Sequence, residues 1–454
     1  VDVRDVERLG DDLVGFVGDV FGSLTRVGWQ DRAGQYVRGL MVDGRRKSIQ
    51  PMAGRLPGVH DQALNHFVTN SPWDVVPVRR RLACRMDEAI GPAAWALDDT
   101  GWLKCGTASP GVARQYTGTA GKVTNCQIGV SLNLVTDTAS CPVDWRLFLP
   151  ESWDPASPAA TADVDQRRAR AQIPDGVGHR QKWRLGLDMI DEAVGWGLTP
   201  PLIVADAGYG DSGEFRRGLT VRGLSYVVQV AATIGVQRQT AVRTAPPAAR
   251  AGRPPAPRYR EPAVSVKDLV LSHSAGAARS VSWRDGSRTR GGRPVKMRSR
   301  FVLLRVRPAG RVLLCAHRDQ DLPEAWLIAE WPPDRDEPTK YWLSNLPATA
   351  ATRPCAVGET PLAHRTRLPR TQDRPGPGPL RGPHLARLAP PRHPRGRRPR
   401  LLHPATTRPK SPRAGLTLYA VLRELQALLT RLVGACPTCK ARFPTRKTRY
   451  PLRS

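Results

Sequence analysis

Residues 1–347 predict an α/β fold, a mixed sheet with a helical domain before it and a β-rich insertion within it. Three observations predict it. Apolar residues recur at three-to-four spacing near the start, apolar strand-like runs alternate with helical patterns from residue 95, and a second cluster of strand-like runs lies between 279 and 347.

Residues 1–90 read as a helical domain. Val6, Leu9, Leu13, Val17 and Val20 give one apolar helix face, and Asn70, Ser71 and Pro72 mark a break before Trp73. Arg45, Arg46 and Lys47, and later Arg79, Arg80 and Arg81, are basic clusters that suit a solvated helix face and a DNA-contacting one equally. From residue 95 the first strand is WALDD, followed by VTNCQIGVSLNLVTD (123–137) and CPVDWRLFLP (141–150). A polar Ala/Pro-rich loop is expected over 151–178. Trp183, Leu187, Ile190 and Val194 then line a helix ended by Gly195 and Gly197. LIVAD is a buried fourth strand, EFRRGLTVRG a short helix and LSYVVQV (224–230) another strand. Three strands, a helix, then strand–helix–strand is the opening of an RNase H-like sheet, so 91–232 is assigned as the first part of that core. Residues 233–265 are rich in Ala, Pro and Arg and read as a flexible connector. The β-rich insertion is completed by RSVSW, RSRFVLLRV, RVLLCAH, AWLIAEW and YWLSNL, so 233–347 forms one block. Trp326, Trp331 and Trp342 are expected in its core. Residues 411–454 read as a C-terminal helix, with a seam of Leu418, Leu422, Leu425, Leu429 and Leu432, and a basic tail.

Bulk properties narrow the partner. The 454 residues carry a formal charge of +30, which points to a polyanion, and nucleic acid fits better than a membrane. No apolar run approaches the roughly 20 residues of a spanning helix, and the first residues lack a signal-peptide layout. Eight scattered cysteines suit a reduced cytoplasmic protein better than a disulfide framework.

The chemistry is carried by WALDDTGWLKCG (95–106) and PPLIVADAGYG (200–210), each running a hydrophobic strand into an aspartate, Asp98 and Asp206. In an RNase H-like layout the two would be neighbours. Two strand-end carboxylates can hold a divalent metal, and metal-bound carboxylates suit phosphoryl transfer.

DDTGWLKCG, GVARQYTGTAGKVTNCQIGV (111–130) and VADAGYG resemble the bacterial insertion-sequence DDE transposases with a "DETGF-K-G … RQYSGTAG … NCQVGV" pattern. AGRPPAPRY, SRFVLLRVRP, LIAEWP, YWLSNLP and LYAVLRELQALL resemble that family's later blocks, so the likeness spans nearly the whole chain except about 352–408. It implies an RNase H-like catalytic domain with a β-rich insertion, and two Asp and one Glu binding two divalent ions, Mg2+ or Mn2+. It also implies double-stranded DNA as partner, both element ends and target, and a homodimer on DNA, which would place a cytoplasmic protein at the nucleoid. By matching motifs Asp98 and Asp206 are the first two catalytic metal ligands. Asp99 stands where the family has Glu and reads as a polar neighbour; Tyr209 reads as pocket-shaping. Gln115, Tyr116 and Asn125 also match, with packing and turn roles explaining them equally well.

The third acid is missing. The family's Glu lies in a helix reading roughly LRWRIEHDYRELK, and nothing like it follows YWLSNLP. Residues 353–408 instead hold 13 Arg and 12 Pro, no Lys and no aromatic residue, within an aberrant Arg/Pro-rich segment at 348–410. Prolines at that density forbid a helix, and the segment reads as a disordered basic linker. Codons compatible with Leu362–Gln372, read one nucleotide later, spell WRIEHDYRELK, which points to two compensating frameshifts near Thr349–Thr352 and Arg408–Pro409. The Glu codon would straddle Arg365 and Thr366, so no residue here inherits the role. Two functions follow: a DNA transposase impaired by loss of its third ligand, or an inactive remnant that only binds DNA. A zinc-stapled module at Cys436 and Cys439 is weaker, because no second pair or His pair follows. His66, His179, His273 and His317 form no ligand cluster, and the Gly-rich turns lack the Lys-Ser/Thr of a nucleotide loop.

Overall fold

The computed structural model describes residues 3–41, 47–136, 139–244, 257–273, 275–290, 293–318 and 320–347. The chain divides into two compact units, the first running to Ile203 and the second starting at Val204.

The first unit opens with five helices: α1 (Val3–Val20), α2 (Val27–Met41), α3 (Ile49–Ala53), α4 (Asp61–Thr69) and α5 (Val75–Ile90). They close around Val20, Leu24, Ala33, Phe67, Val68 and Val78, with Phe16, Trp29 and Trp73 packed against them. The break at Asn70–Pro72 lets Trp73 stack on Phe67 at 5.6 Å and donate its indole N–H to the Phe67 carbonyl. Asp74 then caps α5 by accepting the Val76 N–H, and Gly91, at a φ of 54°, ends it in the left-handed region.

Four strands follow: β1 (Ala94–Leu103), β2 (Ala113–Thr117), β3 (Lys122–Val135) and β4 (Ser140–Phe148). β3 is long enough to pair with β1 along one edge and with β2 and then β4 along the other, all antiparallel. Its run from Cys126 to Leu132 is buried throughout. Helices α6 (Val164–Ala171) and α7 (Lys182–Gly195) come next. α7 packs on the sheet through Gly186, Leu187, Met189, Ile190 and Ala193. A side chain on Gly186 would overlap Leu97 of β1, with its Cβ 2.8 Å from Leu97 Cδ1, so glycine sets how closely helix and strand approach. A four-membered ion network also ties α5 to the sheet. Arg79 and Arg146 both pair with Asp144 and with Glu192 of α7, Arg79 at 3.0 Å from Glu192 and Arg146 at 2.6 Å from Asp144. The Asp144 side chain is fully buried. Burial pushes its carboxyl above the ordinary value, and Arg146 and Arg79 pull it back. The Trp95 N–H donates to the Leu202 carbonyl at 2.8 Å, bringing the chain alongside β1 before it leaves the unit.

β5 (Ile203–Ala205) carries the chain into the second unit, followed by α8 (Ala207–Gly210), α9 (Gly213–Val221) and β6 (Tyr226–Val230). Then come β7 (Gly235–Arg238), β8 (Arg243–Thr244), β9 (Arg258–Tyr259), β10 (Val264–Ser265), α10 (Val266–Leu271), β11 (Arg279–Arg290), β12 (Arg293–Pro308), α11 (Arg311–Ala316), β13 (Ala325–Glu330) and β14 (Lys340–Ser344). Within this unit the strand order is β10-β7-β12-β13-β14-β6, with β11 on the free part of β12 and β8-β9 forming a separate ribbon. Every β13 residue is buried, and the core gathers Val230, Val236, Leu269, Val302, Leu327, Trp331, Tyr341 and Leu343. Trp326 and Trp342 are buried as well, so the three tryptophans expected in the core, Trp326, Trp331 and Trp342, lie there. The architecture is the α/β class expected, a large mixed sheet with helices, of RNase H-like type.

Several details depart from the sequence reading, and one is that the stretch expected as a flexible connector at 233–265 carries the strands β7 to β10. RQYT is a strand, β2, so the strand leading to Asp206 is the fifth. The expected loop at 151–178 contains a 3-10 turn (Glu151–Trp153) and α6. Its centre is the buried Trp153 with Arg168, whose guanidinium donates to the carbonyls of Trp153, Pro174 and Val177 at 2.8–2.9 Å. An arginine serving three carbonyls leaves no mark in hydrophobic periodicity. RVLLCAH, expected as a strand, is helix α11, with Leu313 buried and Leu314 exposed. A short apolar run fits helix and strand alike, and the break at Gly310 after Pro308 separates it from β12. Val194 is 44 % exposed, and the inward face of α7 runs instead through Met189 and Ala193. The Arg/Pro-rich segment at 348–410, the leucine seam at 418–432, Cys436 and Cys439, and 245–256 of the connector lie outside the described residues.

Candidate active site

Asp98 is the fifth of ten residues in β1 and not its last. The strand continues because β3 is long enough to pair with all of it, from Ala94↔Val135 to Leu103↔Cys126. Hydrophobic character ends at Asp98, but hydrogen bonding does not. The Asp98 side chain is exposed, and its Oδ1 accepts the Asp99 N–H at 2.8 Å. Beneath it the backbone is held by polar groups of β3. Ser131, opposite Asp98, donates its hydroxyl to the Asp98 carbonyl at 3.2 Å; Asn133 donates to the Ser131 hydroxyl at 3.0 Å and to the Ala96 carbonyl at 3.3 Å.

The rest of the DDTG block has steric reasons. A Cβ on Gly101 would lie 1.8 Å from Thr117 Oγ1, so only glycine lets β1 pass the end of β2. Gly129 opens a seat for the Trp102 ring, which would be 2.7 Å from a Cβ there. Asn125 donates to the carbonyls of Lys104 and Gly106 and fixes the turn after β1, and Gln115 donates to the Cys126 carbonyl. These two have turn and strand-edge roles. Tyr116 is 63 % exposed and does neither.

Asp99 is not presented as Asp98 is. Lys182, the first residue of α7, holds it through Nζ–Oδ2 at 2.5 Å, and the same ammonium lies 5.2 Å from the Phe148 ring centre. The sequence reading did not single out Lys182. The available signal was a lysine at a helix N-terminus with no acid in the first turn, a position the helix dipole disfavours.

In the second unit Asp206 follows β5 directly and is exposed, while Ile203, Val204 and Ala205 before it are buried. It caps α8, its Oδ1 accepting the Gly208 N–H at 2.9 Å. The turn that bears it is fixed from behind. Tyr209 is 1 % exposed and packs on Phe215, so it is a core residue and not a pocket wall. A Cβ on Gly210 would sit 1.9 Å from the Gln229 carbonyl oxygen of β6. Arg216, also buried, donates to the Gly210 carbonyl. Burial lowers the Arg216 pKa, and the nearby charges of Asp211 and Glu214 offset part of that. Arg216 was also missed; a charged residue inside an amphipathic helix pattern reads as surface.

Asp98 and Asp206 offer hard oxygen donors of the kind Mg2+ takes, and Mg2+ is commonly bound by one or two carboxylates with water and substrate phosphate completing its shell. The donor set therefore suits the ion in chemistry. Among the described residues there is no group of three or more His, Cys, Asp or Glu placed to hold a metal. Cys84, Cys105, Cys126, Cys141 and Cys315 are free thiols, and among the described residues no helix is long and apolar enough to cross a membrane.

Comparison with known proteins bears on the same blocks. Residues 19–290 match the family described as DDE superfamily endonuclease, a span that includes both aspartates and ends before the Arg/Pro-rich segment. A relative, the probable transposase for insertion sequence element IS701 of Microchaete diplosiphon, is 28 % identical over 195 residues. That alignment takes in 42 % of this chain and 46 % of the relative, so the chain spans less than half the length of the protein it matches. With the matched span exceeding half of the 454 residues, the chain belongs to the DDE superfamily endonucleases.

Proposed function

We propose that this protein is a DNA transposase of an insertion sequence that cleaves and rejoins the element's ends, impaired in the chain as written by loss of its third acidic ligand. The observation that carries the reading is the pair of exposed aspartates, each preceded by buried apolar residues and each hydrogen-bonded to a backbone N–H that orients it. Asp98 and Asp206 would together hold divalent metal, Mg2+ or Mn2+, with two ions in an intact family member. When bound, such ions lower the pKa of an attacking water and stabilise the leaving oxygen of an in-line displacement. The chain's own part is to aim the carboxylates. Ser131 and Asn133 hold β1 under Asp98, and Gly210 and Arg216 hold the turn behind Asp206.

The partner is double-stranded DNA, element end and target, bound by a homodimer, in the cytoplasm at the nucleoid. The charge of +30 supports it, and so does the Arg/Lys content outside residues 353–408, since those residues contribute only +11 of that total through 13 Arg against Glu359 and Asp373. The domain plan is proposed on the same grounds: a DNA-contacting helical domain at 1–90, the core opening at 91–232, the connector and insertion at 233–347, the aberrant segment at 348–410 and the C-terminal helix and tail at 411–454. A second reading, a remnant that binds DNA without cutting it, is favoured by the absence of any in-frame match to LRWRIEHDYRELK.

The test is to resequence the gene across codons 345–412 and to assay Mg2+-dependent nicking of an end-containing duplex. A restored frame encoding WRIEHDYRELK should give nicking that Asp98→Asn and Asp206→Asn abolish. A confirmed written frame with no nicking but retained duplex binding would establish the remnant. Nicking that survives both substitutions would refute the metal assignment.

A further inference from the structure

Lys182 occupies a position that is unfavourable on local grounds. It is the first residue of α7, where the helix dipole repels a cation, and no acidic residue stands in that first turn. Its Nζ is 2.5 Å from Asp99 Oδ2, and both side chains are 29 % exposed, so water reaches the pair without dispersing it. The pair belongs to a wider seam. One turn along α7, Gly186 meets Leu97, two residues before Asp99 on β1. Residues two apart on a strand share a face and neighbours point oppositely. Leu97 and Asp99 therefore face α7, and Asp98 between them faces away. The helix steps in fours while the strand steps in twos, so Gly186 seats Leu97 and Lys182 seats Asp99.

We propose that Lys182 is a positioning residue for the metal-binding aspartate: it pins Asp99 to α7 and cancels its charge, so that the Asp98–Asp99 doublet presents a single carboxylate to a divalent ion. This rests on the proposed function of Asp98. Asp99 touches Asp98 directly, donating its N–H to Asp98 Oδ1. Freeing Asp99 therefore leaves an uncompensated anion one residue from the metal-binding carboxylate, while the Asp99 N–H that orients Asp98 is backbone and stays. Loss of Asp99 alone does the reverse, leaving an ammonium without its counter-charge next to Asp98.

The experiment measures Mn2+ affinity of the full chain by electron paramagnetic resonance of free Mn2+, with circular dichroism confirming that each variant folds. Lys182→Met should tighten Mn2+ binding and Asp99→Asn should weaken it, each by roughly three- to tenfold for one charge in a largely aqueous setting. The double variant should return to within about twofold of the parent, because the two charges cancel in pairs. Lys182→Arg, which keeps the cation, should match the parent. Equal or weaker binding in Lys182→Met, or additive effects in the double variant, would overturn the role of Lys182. A Mn2+ signal indifferent to Asp98→Asn would overturn the metal assignment itself, which separates the two failures. If Lys182→Met does not fold, Asp99→Asn and Lys182→Arg still decide the matter: unchanged affinity in Asp99→Asn, or altered affinity in Lys182→Arg, counts against the proposal.

Discussion

Replacing Arg79 by Met should cost about 3 kcal/mol, the low end for breaking a buried ion pair. The figure follows from what remains. Asp144 has a fully buried side chain, and Arg79 and Arg146 are its two cations; Glu192 shares both. Removing Arg79 leaves two carboxylates against one guanidinium, with Asp144 unable to reach water. The cost stays near the lower bound because Arg146 keeps its 2.6 Å contact with Asp144 and because Glu192 is 23 % exposed. The control is Arg81→Met. Arg81 is 57 % exposed and pairs with Asp19 at 3.5 Å, and its loss should cost no more than about 0.5 kcal/mol. The assay is reversible urea unfolding followed by tryptophan fluorescence, at pH 7 and pH 5. Asp144 already has a raised pKa, and losing Arg79 raises it further. A raised carboxyl takes up protons more readily folded than unfolded, so its penalty is relieved as pH falls through the folded value. The deficit of Arg79→Met should therefore shrink from pH 7 to pH 5. A loss below about 1 kcal/mol, or a deficit that grows on acidification, would refute the claim that the network is buried and that it fastens α5 to β4 and α7.

Two steric predictions concern the glycines flanking the aspartates. Gly210→Ala, whose Cβ would meet the Gln229 carbonyl oxygen at 1.9 Å, should lose at least about 2 kcal/mol by thermal or urea unfolding, since backbone cannot step aside as a side chain can. Gly101→Ala, meeting Thr117 Oγ1 at 1.8 Å, should lose about 1–3 kcal/mol in the same measurement. At the 151–178 segment, the N–H groups of His179 and Ala156 hold the Asp154 carboxyl below its ordinary value. That stabilisation is present above the unfolded carboxylate pKa and lost as pH falls through the folded one. Asp154→Ala should accordingly be less stable than the parent at pH 6, with the gap closing toward pH 3; a gap independent of pH would count against the hydrogen bonds.

What was legible in the sequence was whatever burial writes as a pattern. Strand β5 is three buried residues ending at Asp206, and WALDD shows its apolar half in the same way. The insertion tryptophans read as core because they sit inside dense apolar runs. Patterns failed where polar atoms take the structural work. β1 continues past Asp98 because β3 offers it partners to Cys126, and pairing of that length is a property of two strands together. Likewise the 151–178 segment folds around Arg168, and composition cannot tell an arginine satisfied by three carbonyls from one in solvent.

The candidate site divides along the same line, and the division explains its chemistry. The acids themselves are exposed, as the proposed metal and phosphodiester would require. Exposed residues contribute nothing to hydrophobic periodicity, so Asp98 and Asp206 were found through their motifs and through the apolar residues that precede them. The groups that aim them, Ser131, Lys182 and Arg216, are polar and at least partly buried. Each is satisfied by a partner 33 residues away (Ser131 to Asp98), 83 residues away (Lys182 to Asp99) or six residues away (Arg216 to Gly210). Only the last separation is local enough for a sequence to suggest, and it is hidden because a buried arginine looks like a surface one. An aspartate on an irregular turn would be cheap to move; one held by a buried donor from a neighbouring element is not. Orientation of this kind is what the proposed phosphoryl transfer would demand of a protein whose metal supplied the electrophilic chemistry.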